Sequence, residues 1–355
     1  MKRKKAFTKL LLEWHRNENH RVMPWKGIRD PYRIWLAETI LQQTRVEQGW
    51  AYYERFVQAF PTLADLAVAP EEHIFRLWQG LGYYNRCRNL LHTARELVSH
   101  HGGLFPRSYE QLLTLKGIGP YTAAAIASFA FDLPHAVVDG NVLRVLSRYF
   151  GWEQPIDTSE GKRLYSSLAN ELISRESPGA YNQAIMDLGA TICRPRVPLC
   201  GQCPLARCCK AFEQGKAEQL PVKVSRRTIR QRYFHYLVIW YEDRIVLQRR
   251  ENKDIWRGLY EFPLLEADAP GGAELLHHAA WKNLLPDEDW ILKSISDRQQ
   301  QLTHQRIYAR FFAVETSRPP AVLAHQILVH RHQLTLYAFP GIIIQYLRDG
   351  QGRLF

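Results

Sequence analysis

Five of the six cysteines lie close together, in the segment CRPRVPLCGQCPLARCC. In a cytoplasmic protein such crowding favours a metal site over disulfide bonds. Cys193, Cys200, Cys203 and Cys209 are separated by six, two and five residues. Four-thiolate zinc sites usually combine two close pairs, and this set has only one, whereas four thiolates can also hold an iron–sulfur cluster. The residues therefore predict a metal centre.

A glycine-rich turn precedes a helix near the middle of the chain. In Lys116-Gly117-Ile-Gly119 the two glycines can adopt positive φ and expose backbone N–H groups. The alanine-rich segment 121–130 follows without a helix breaker, so these N–H groups and the helix N-terminus form an anion site. A DNA phosphate is the natural occupant, and a plain glycine cap between two core helices is the alternative.

Two acidic residues lie at positions where burying a carboxylate would be energetically costly unless it has a chemical role. Glu38 lies in the segment 35–49, which we expect to form one helix with Glu38 and Arg45 on one face. Asp139 follows an apolar run and precedes an amphipathic helix over 142–149. A buried carboxylate needs a partner or a chemical role. The alternatives are a surface ion pair for Glu38 and a simple N-cap for Asp139.

The length and net charge of the chain indicate how many domains it forms and what kind of partner it binds. A chain of 355 residues predicts two domains, and a net charge of +12 suits a polyanionic partner, although it also fits a merely basic protein. No apolar run of 18 residues occurs, so we expect no membrane span and no membrane partner. The expected location is the bacterial cytoplasm, in association with the nucleoid.

The segment Ala37-Glu38-x-x-Leu-Gln-Gln-Thr, the glycine turn and the later Asp139 resemble the MutY-type adenine DNA glycosylases of the helix-hairpin-helix superfamily, which includes endonuclease III. The resemblance implies a multi-domain chain: an all-α helix-hairpin-helix glycosylase domain with a 4Fe-4S loop, then an α+β MutT-like (Nudix-fold) domain. The expected bounds are 1–218 for the first domain, 219–230 for a linker and 231–355 for the second domain.

The cysteine spacing matches the cluster loop of the endonuclease III and MutY families. The resemblance therefore implies a 4Fe-4S cofactor on Cys193, Cys200, Cys203 and Cys209. Cys208 would shorten the last gap to four residues, so we expect it to be a bystander. Zinc remains the alternative metal.

The resemblance also assigns the catalytic residues. Breaking an N-glycosidic bond needs an acid for the leaving base and a carboxylate for the cationic sugar. Glu38 is the expected acid, protonating adenine N7, and Asp139 the expected anion near C1′, with Tyr121 and Asn141 in support. The residues expected to surround a flipped adenine are Arg21, Trp25, Leu41, Val46 and Asp187.

Other residues are expected to touch DNA. Tyr83, in the turn Gln-Gly-Leu-Gly-Tyr83-Tyr, resembles the wedge that the family places beside the damaged guanine, and Gln42 its partner wedge. Core tyrosines in an ordinary turn are the alternative. Lys116, Gly117 and Gly119 should bind the backbone. Endonuclease III has a lysine at the place of Tyr121, so we expect base removal without strand cleavage.

Beyond residue 230 the apolar pattern changes to that of strands, expected at 233–241, 244–248 and 306–314, with helices at 273–285 and 341–348. The segment WRGLYEFP resembles an element of the MutT-like domain. No glutamate-rich Nudix run occurs, so recognition without hydrolysis is expected. The family's Phe-Ser-His loop, which reads 8-oxoguanine, is matched by Leu302-Thr303-His304, although a Thr-His before a strand is also typical of an ordinary turn.

The expected activity is therefore removal of adenine opposite 8-oxoguanine or guanine in double-stranded DNA, by a monomer. A glycosylase for mismatched thymine or an oxidised pyrimidine is disfavoured by the AETILQQT and GLGYY segments. An inactive DNA-binding protein is disfavoured because Glu38 and Asp139 are both present. A nucleotide pyrophosphatase would need the acidic run that is missing.

Overall fold

The computed structural model describes residues 2–224, 228–285 and 289–350. Parts of the three predicted segments lie outside these residues: residue 1 of the first domain, 225–227 of the linker, and 286–288 and 351–355 of the second domain.

The described chain forms two compact units. The first contains the residues up to Val68 and those from Asn89 to Val224, and the second contains Ala69–Arg88 and the residues from Thr228 onwards. The segment Ala69–Arg88, which carries the turn around Tyr83, thus belongs to the second unit although it precedes much of the first in the chain.

Helices dominate the chain before residue 214. In chain order they are α1 Lys2–Asn17, α2 Pro31–Leu41, α3 Val46–Ala59, α4 Leu63–Val68, α5 Glu71–Trp78, α6 Tyr84–His100, α7 Tyr109–Thr114, α8 Pro120–Phe131, α9 Gly140–Phe150, α10 Ser159–Leu172, α11 Pro178–Thr191 and α12 Lys210–Glu213. Helix α5 and the first residues of α6 belong to the second unit.

The single helix expected over 35–49 is wrong in its extent. Helix α2 ends at Leu41 and α3 begins at Val46. Between them Gln43 has a φ of 57°, which an L-residue does not adopt inside a right-handed helix. Arg45 is the N-cap of α3, so it does not share a helix face with Glu38.

Two helices present the residues of interest, and local sequence explains where each begins. Gly119 is the extended N-cap of α8 and Pro120 occupies its first turn, where the missing N–H costs nothing. Asp139 is the N-cap of α9 and accepts a hydrogen bond from the N–H of Val142. The N-terminus of each helix therefore carries a predicted site residue.

An apolar core holds these helices in place. Phe7, Leu11, Leu146, Tyr165 and Leu188, from α1, α9, α10 and α11, are all fully buried in one cluster. Among the described residues, none of the helices has both the length and the apolar character that crossing a bilayer requires.

The second unit is built on a seven-stranded sheet with β1 at its centre. Its strands are β1 Arg230–Tyr241, β2 Arg244–Arg249, β3 Tyr260–Glu261, β4 Leu264–Ala267, β5 Trp290–Gln301, β6 Gln305–Thr316 and β7 Gln326–His330. The main path runs β3-β2-β1-β6-β5, with β4 paired to β1 and β7 to β2. Strands β1 and β6 are parallel, and the other pairs are antiparallel.

The predicted strands near 233, 244 and 306 are confirmed as β1, β2 and β6. The sequence missed β5, whose side chains are half exposed or exposed along its whole length, so that no apolar face marks it. The helix expected over 273–285 is wrong: a 3₁₀ turn occupies Ala273–His277 and a short helix, α13, Ala279–Lys282. The helix expected at 341–348 is present as α14, Gly341–Gly350.

Candidate active site

Glu38 lies in the last turn of α2 with only 6% of its surface exposed. Burial raises the pKa of Glu38 to about 7, a hydrogen bond with Tyr121 opposes this shift, and the negative charge of Asp139 adds to it. Near neutral pH the carboxyl can therefore hold a proton and release it, as a general acid must. The three residues expected to act together are thus neighbours in the structure.

Asp139 is held by hydrogen bonds at both carboxylate oxygens. Its Oδ1 accepts from the backbone N–H of Val142 at 2.7 Å, and its Oδ2 accepts from Nδ2 of Asn141 at 2.7 Å. Burial raises the pKa of Asp139, while both of these bonds favour the ionised form. Burial thus raises the pKa of both carboxyls, and Asp139 differs from Glu38 in having two N–H donors that stabilise its anion.

Arg144 connects this pair to the cysteine segment. Its Nη2 donates to Oδ1 of Asn141 at 2.8 Å and to the carbonyl oxygen of Gly189 at 2.7 Å. Its Nε donates to the carbonyl oxygen of Cys193 at 2.7 Å. A buried guanidinium therefore fixes Asn141, and through it the orientation of the Asp139 carboxylate.

Asp187 is fully buried and binds several side chains of the segment that follows α1. It pairs with Nη1 of Arg21 at 2.9 Å and with Nζ of Lys26 at 3.1 Å. It also accepts from Asn19 at 2.8 Å and from Gln183 at 3.0 Å. These contacts fold residues 18–27 over the end of α11.

The predicted phosphate-binding turn has the expected positive φ at Gly117 but not at Gly119, whose φ is −91°. Gly117 has a φ of 80°, and a Cβ there would lie 2.6 Å from Cβ of Asn89. Gly119 is extended, and no other group fills the space beside it. The carbonyl of Lys116 accepts a hydrogen bond from Thr93 at 2.5 Å, which anchors the turn.

Two cavities of the first unit share Glu38. The front cavity, of about 810 Å³, is lined by Glu38 and residues 41–43, 117–122 and 138–140. The rear cavity, of about 270 Å³, has among its lining residues Trp25, Lys26, Ile34, Glu38, Phe129 and Ala180. The hairpin turn and both predicted catalytic carboxyls, Glu38 and Asp139, therefore line the front cavity.

The residues expected around adenine are divided between these spaces. Trp25 lines the rear cavity and packs edge-on against Tyr53, whereas Leu41 lines the front one. Arg21 is bound to Asp187 beside the rear cavity. Val46 begins α3 and is not among the residues lining either space.

Gln42, the predicted second wedge, is half-buried and donates to the Thr122 hydroxyl at 3.2 Å. The following residue, Gln43, is exposed at positive φ and also lines the front cavity. Of the two glutamines, Gln43 is the one exposed to solvent, and neighbouring glutamines in the sequence carry no signal of which one projects.

In the second unit, the turn at Gly80 and Gly82 presents Tyr83, which is 43% exposed and has a φ of 51°. The Tyr83 hydroxyl lies 2.5 Å from the hydroxyl of Thr303. The guanidinium of Arg86 lies 4.9 Å from the centre of the Tyr83 ring. Tyr83, Thr303 and His304 line one cavity of about 430 Å³.

The predicted cluster ligands lie near one another. Arg148 donates from Nη1 to Sγ of Cys193 at 3.4 Å, and its carbonyl accepts from Sγ of Cys209 at 3.4 Å. Cys203 is within electrostatic reach of both and of Cys200, whereas Cys208 makes a hydrogen bond with Tyr149. Within the described ranges, no three His, Cys, Asp or Glu side chains converge closely enough to hold a metal ion.

Sequence reasoning missed two residues with evident structural roles. Arg144 is one of two arginines in the predicted helix 142–149, and its spacing of three residues from Asn141 is the signal that could have identified this contact. Lys26 follows Trp25, and its pairing with Asp187 joins residues more than 150 positions apart, beyond any local signal.

Comparison with protein families defines the class of the chain. Residues 36–171 match the HhH-GPD superfamily of base excision DNA repair proteins, and residues 235–349 match the NUDIX domain. The solved structure of a thermostable thymine-DNA glycosylase covers 60% of this chain and 98% of its own, with a TM-score of 0.56 and 31% identity. A non-covalent endonuclease III–DNA complex, at 23% identity and a TM-score of 0.51, shares the fold. The chain is a helix-hairpin-helix DNA glycosylase with a Nudix-like domain.

Proteins of similar sequence identify one family within this class. The adenine DNA glycosylase of Buchnera aphidicola subsp. Baizongia pistaciae is 36% identical over 260 residues, covering 73% of each protein. The human adenine DNA glycosylase is 44% identical over 225 residues, covering 61% of this chain and 41% of the human protein. The chain belongs to the adenine DNA glycosylases, enzymes of base excision repair, as the sequence motifs predicted.

Proposed function

We propose that this enzyme removes adenine opposite 8-oxoguanine or guanine in duplex DNA and leaves the strand intact. The observation that carries the proposal is the pair of carboxyls in the front cavity. Glu38, with a pKa raised to about 7 by burial, is suited to protonate N7 of the leaving base. Asp139, held by N–H donors, is suited to remain ionised beside the sugar cation.

We expect no strand cleavage because cleavage of this kind needs a lysine amine as the nucleophile at the front cavity. Among the described residues that line the front cavity, none is a lysine that could form a Schiff base. Tyr121 lies directly after the hairpin turn beside Glu38, and its hydroxyl donates to Sδ of Met186 at 3.6 Å. Lys26 lines the rear cavity, where its amine is engaged in an ion pair with the buried Asp187.

Incubation with a duplex carrying one adenine opposite 8-oxoguanine tests both statements. We expect free adenine to be released and the strand to break only after alkali is added. Release of thymine, or strand breaks without alkali, would contradict the proposal.

In this proposal, residues of the second unit recognise the base opposite adenine. Thr303 and His304 line the cavity beside Tyr83, and the hydroxyl of Thr303 supplies a donor and an acceptor for an oxidised purine edge. Leu302 offers no aromatic ring for stacking, so the hydroxyl carries the discrimination in this chain. Tyr83 would enter the stack beside the lesion.

We further propose a 4Fe-4S cluster on Cys193, Cys200, Cys203 and Cys209. Cys193 and Cys209 both contact Arg148, Cys203 lies within electrostatic reach of Cys193, Cys200 and Cys209, and a four-iron cluster spaces its ligands more widely than a single ion does. When bound, it would cross-link the segment to which Arg144 ties Asn141. The site of action would be chromosomal DNA, with the enzyme acting as a monomer.

The adjacent cysteines provide a matched test of the cluster. Cys209→Ser should lower the iron and sulfide content and the visible absorbance of the purified protein, because it removes a ligand. Cys208→Ser should leave all three unchanged. Equal loss in both variants, or zinc in place of iron, would overturn the ligand assignment.

A further inference from the structure

Gln300 lies on a covered face of the sheet in the second unit. Paired residues of neighbouring strands share a face, and the partner of Gln300 across the β5–β6 pair is Ile307, which is fully buried. The preceding residue, Gln299, points to the other face and is exposed. Gln300 also lines the cavity of about 430 Å³ that is lined by Tyr83 and Thr303. Its amide is therefore withdrawn from the outer surface and placed beside the residues proposed to recognise the opposite base.

The carbonyl oxygen of this amide lacks a donor. Oε1 of Gln300 is buried, and in the part of the chain that the structure describes no group donates a hydrogen bond to it. The amide lies against the start of α14, where a Cβ on Gly341 would come within 3.1 Å of Nε2. Buried acceptors in folded proteins nearly always have a partner, so this oxygen calls for a donor from outside the chain. Because Gln300 lines the cavity, a molecule bound there can supply that donor.

8-Oxoguanine and guanine differ in the hydrogen-bonding groups at positions 7 and 8. Guanine has an acceptor at N7 and a C–H at position 8. In 8-oxoguanine N7 carries a hydrogen and is a donor, and C8 carries a carbonyl oxygen, which is an acceptor. The hydroxyl of Thr303 can donate to O8, which leaves the N7–H in need of an acceptor. An amide oxygen accepts only, so it suits the N7–H of 8-oxoguanine and repels the lone pair at N7 of guanine.

We propose that Oε1 of Gln300 accepts the N7–H of 8-oxoguanine, and that this contact disfavours guanine at the same place. This inference rests on the proposed function, because it requires the base opposite adenine to enter the cavity beside Tyr83. Thr303 binds O8, and Gln300 adds a second contact that guanine cannot make. Gln300 is therefore a specificity-determining residue outside the segment Leu302-Thr303-His304.

Gln300→Met tests the contact, because methionine keeps the length of the side chain and removes the acceptor. Single-turnover rates of adenine release are measured with the whole enzyme on three duplexes, which carry 8-oxoguanine, guanine or 7-deazaguanine opposite adenine. The wild type should release adenine faster opposite 7-deazaguanine than opposite guanine, since a C–H at position 7 does not repel the amide oxygen. Gln300→Met should lower the ratio of the 8-oxoguanine rate to the guanine rate by about tenfold. It should also act equally on the guanine and 7-deazaguanine duplexes.

Gln299→Met is the matched control, since it makes the same change on the exposed face of β5 and Gln299 is not among the residues lining the cavity. Its three rates should equal those of the wild type. Gln300→Glu keeps an acceptor at this position and should keep the preference for 8-oxoguanine over guanine. Gln300→Met should melt no lower than the wild type, because it removes a buried acceptor that has no donor in the described chain.

A wild-type ratio of rates in Gln300→Met, which is the result expected if a bound water satisfies Oε1, would overturn the assignment. Loss of the ratio in Gln300→Glu to the same extent as in Gln300→Met would also overturn it, because the amide N–H would then be the group that recognises the base. A wild type that releases adenine equally fast opposite 8-oxoguanine and guanine would likewise contradict the inference. A wild type that releases no adenine from any of the duplexes would instead refute the proposed function.

Discussion

Glu38 and Asp139 are both carboxyls at one cavity, and their immediate neighbours give them different properties. Glu38 is packed among buried residues, with the Tyr121 hydroxyl as its hydrogen-bond donor, and its pKa rises to about 7. Asp139 receives a backbone N–H and an amide N–H, both of which favour the anion. Two carboxyls in different environments can therefore divide the roles of acid and anion.

Replacing Glu38 with Gln should abolish adenine release while DNA binding persists, because an amide cannot donate the proton. In the wild type the single-turnover rate should fall as pH rises through about 7, since the acid is then deprotonated. The measurement is the single-turnover rate across pH, beside the affinity for the duplex. An unchanged rate in Glu38→Gln would remove Glu38 from the mechanism.

Stability provides the control for Glu38→Gln. A folded-state pKa of about 7 against an ordinary value of 4.5 means that the folded protein binds the extra proton. The contribution of Glu38 to the free energy of unfolding is fully present below pH 4.5 and is lost as the pH rises from there through 7. This loss lowers the free energy of unfolding by on the order of 3 kcal/mol. Glu38→Gln should therefore match the wild type in acid and unfold at a higher temperature above pH 7. A lower melting temperature there would show that the lost activity reflects misfolding.

Replacing Asp139 with Asn tests the anion separately. Asparagine is also a good N-cap, so α9 should keep its start and the variant should remain folded. The charge beside the sugar is lost, and we expect the rate of adenine release to fall by about 100-fold or more. Single-turnover rates measure this, with circular dichroism as the check on folding. A rate equal to that of the wild type would exclude an electrostatic role for Asp139.

At the scale of elements, the hairpin turn provides a paired test of its two glycines. Gly117→Ala places a methyl group 2.6 Å from Asn89 at a φ of 80°, so we expect a loss of about 1 to 3 kcal/mol in stability. Gly119→Ala meets no neighbour, and its φ of −91° suits alanine. It should change stability by less than about 0.5 kcal/mol.

Urea denaturation and duplex affinity measure both glycine variants. Because the N–H groups of the turn are expected to bind a DNA phosphate, Gly117→Ala should also weaken DNA binding, whereas Gly119→Ala should retain it. Equal losses in the two variants would show that the turn is not held by the close approach to Asn89.

The elements that sequence predicted well are those with a local signal. Pro120 and Asp139 mark helix starts, and α8 and α9 begin there. Strand β5 was missed because it has no apolar face, and the break at Gln43 because a glutamine at positive φ has no sequence marker. The catalytic residues were predicted through family motifs, and their assigned roles stay predictions.

Contacts between distant residues could not be predicted in this way. The pairing of Arg144 with the carbonyl oxygens of Gly189 and Cys193 depends on how α9 and α11 pack. The division of space around Glu38 into two cavities depends on the crossing of α2 and α8. Tertiary packing determines both features, and a single sequence shows only which residues are apolar.

At the scale of the whole molecule, two units supply different parts of the proposed specificity. The first contains the carboxyls and the hairpin turn, and the second contains Tyr83 and Thr303. A chain with a net charge of +12 attracts duplex DNA of any sequence, and this contribution weakens as salt rises. Discrimination between an 8-oxoguanine and a guanine opposite adenine must therefore come from short-range contacts, for which Thr303 is the candidate.

Thr303→Ala should reduce the preference for adenine opposite 8-oxoguanine over adenine opposite guanine by about tenfold, because a hydrogen bond that reads the base edge is lost. Cleavage opposite guanine should change little, since Glu38 and Asp139 are untouched. Thr303→Ser keeps the hydroxyl and should restore most of the ratio, which separates hydrogen bonding from packing. The measurement is the ratio of single-turnover rates on the two duplexes at one salt concentration. If Thr303→Ala kept the wild-type ratio, the second unit would have no part in reading the opposite base through this hydroxyl.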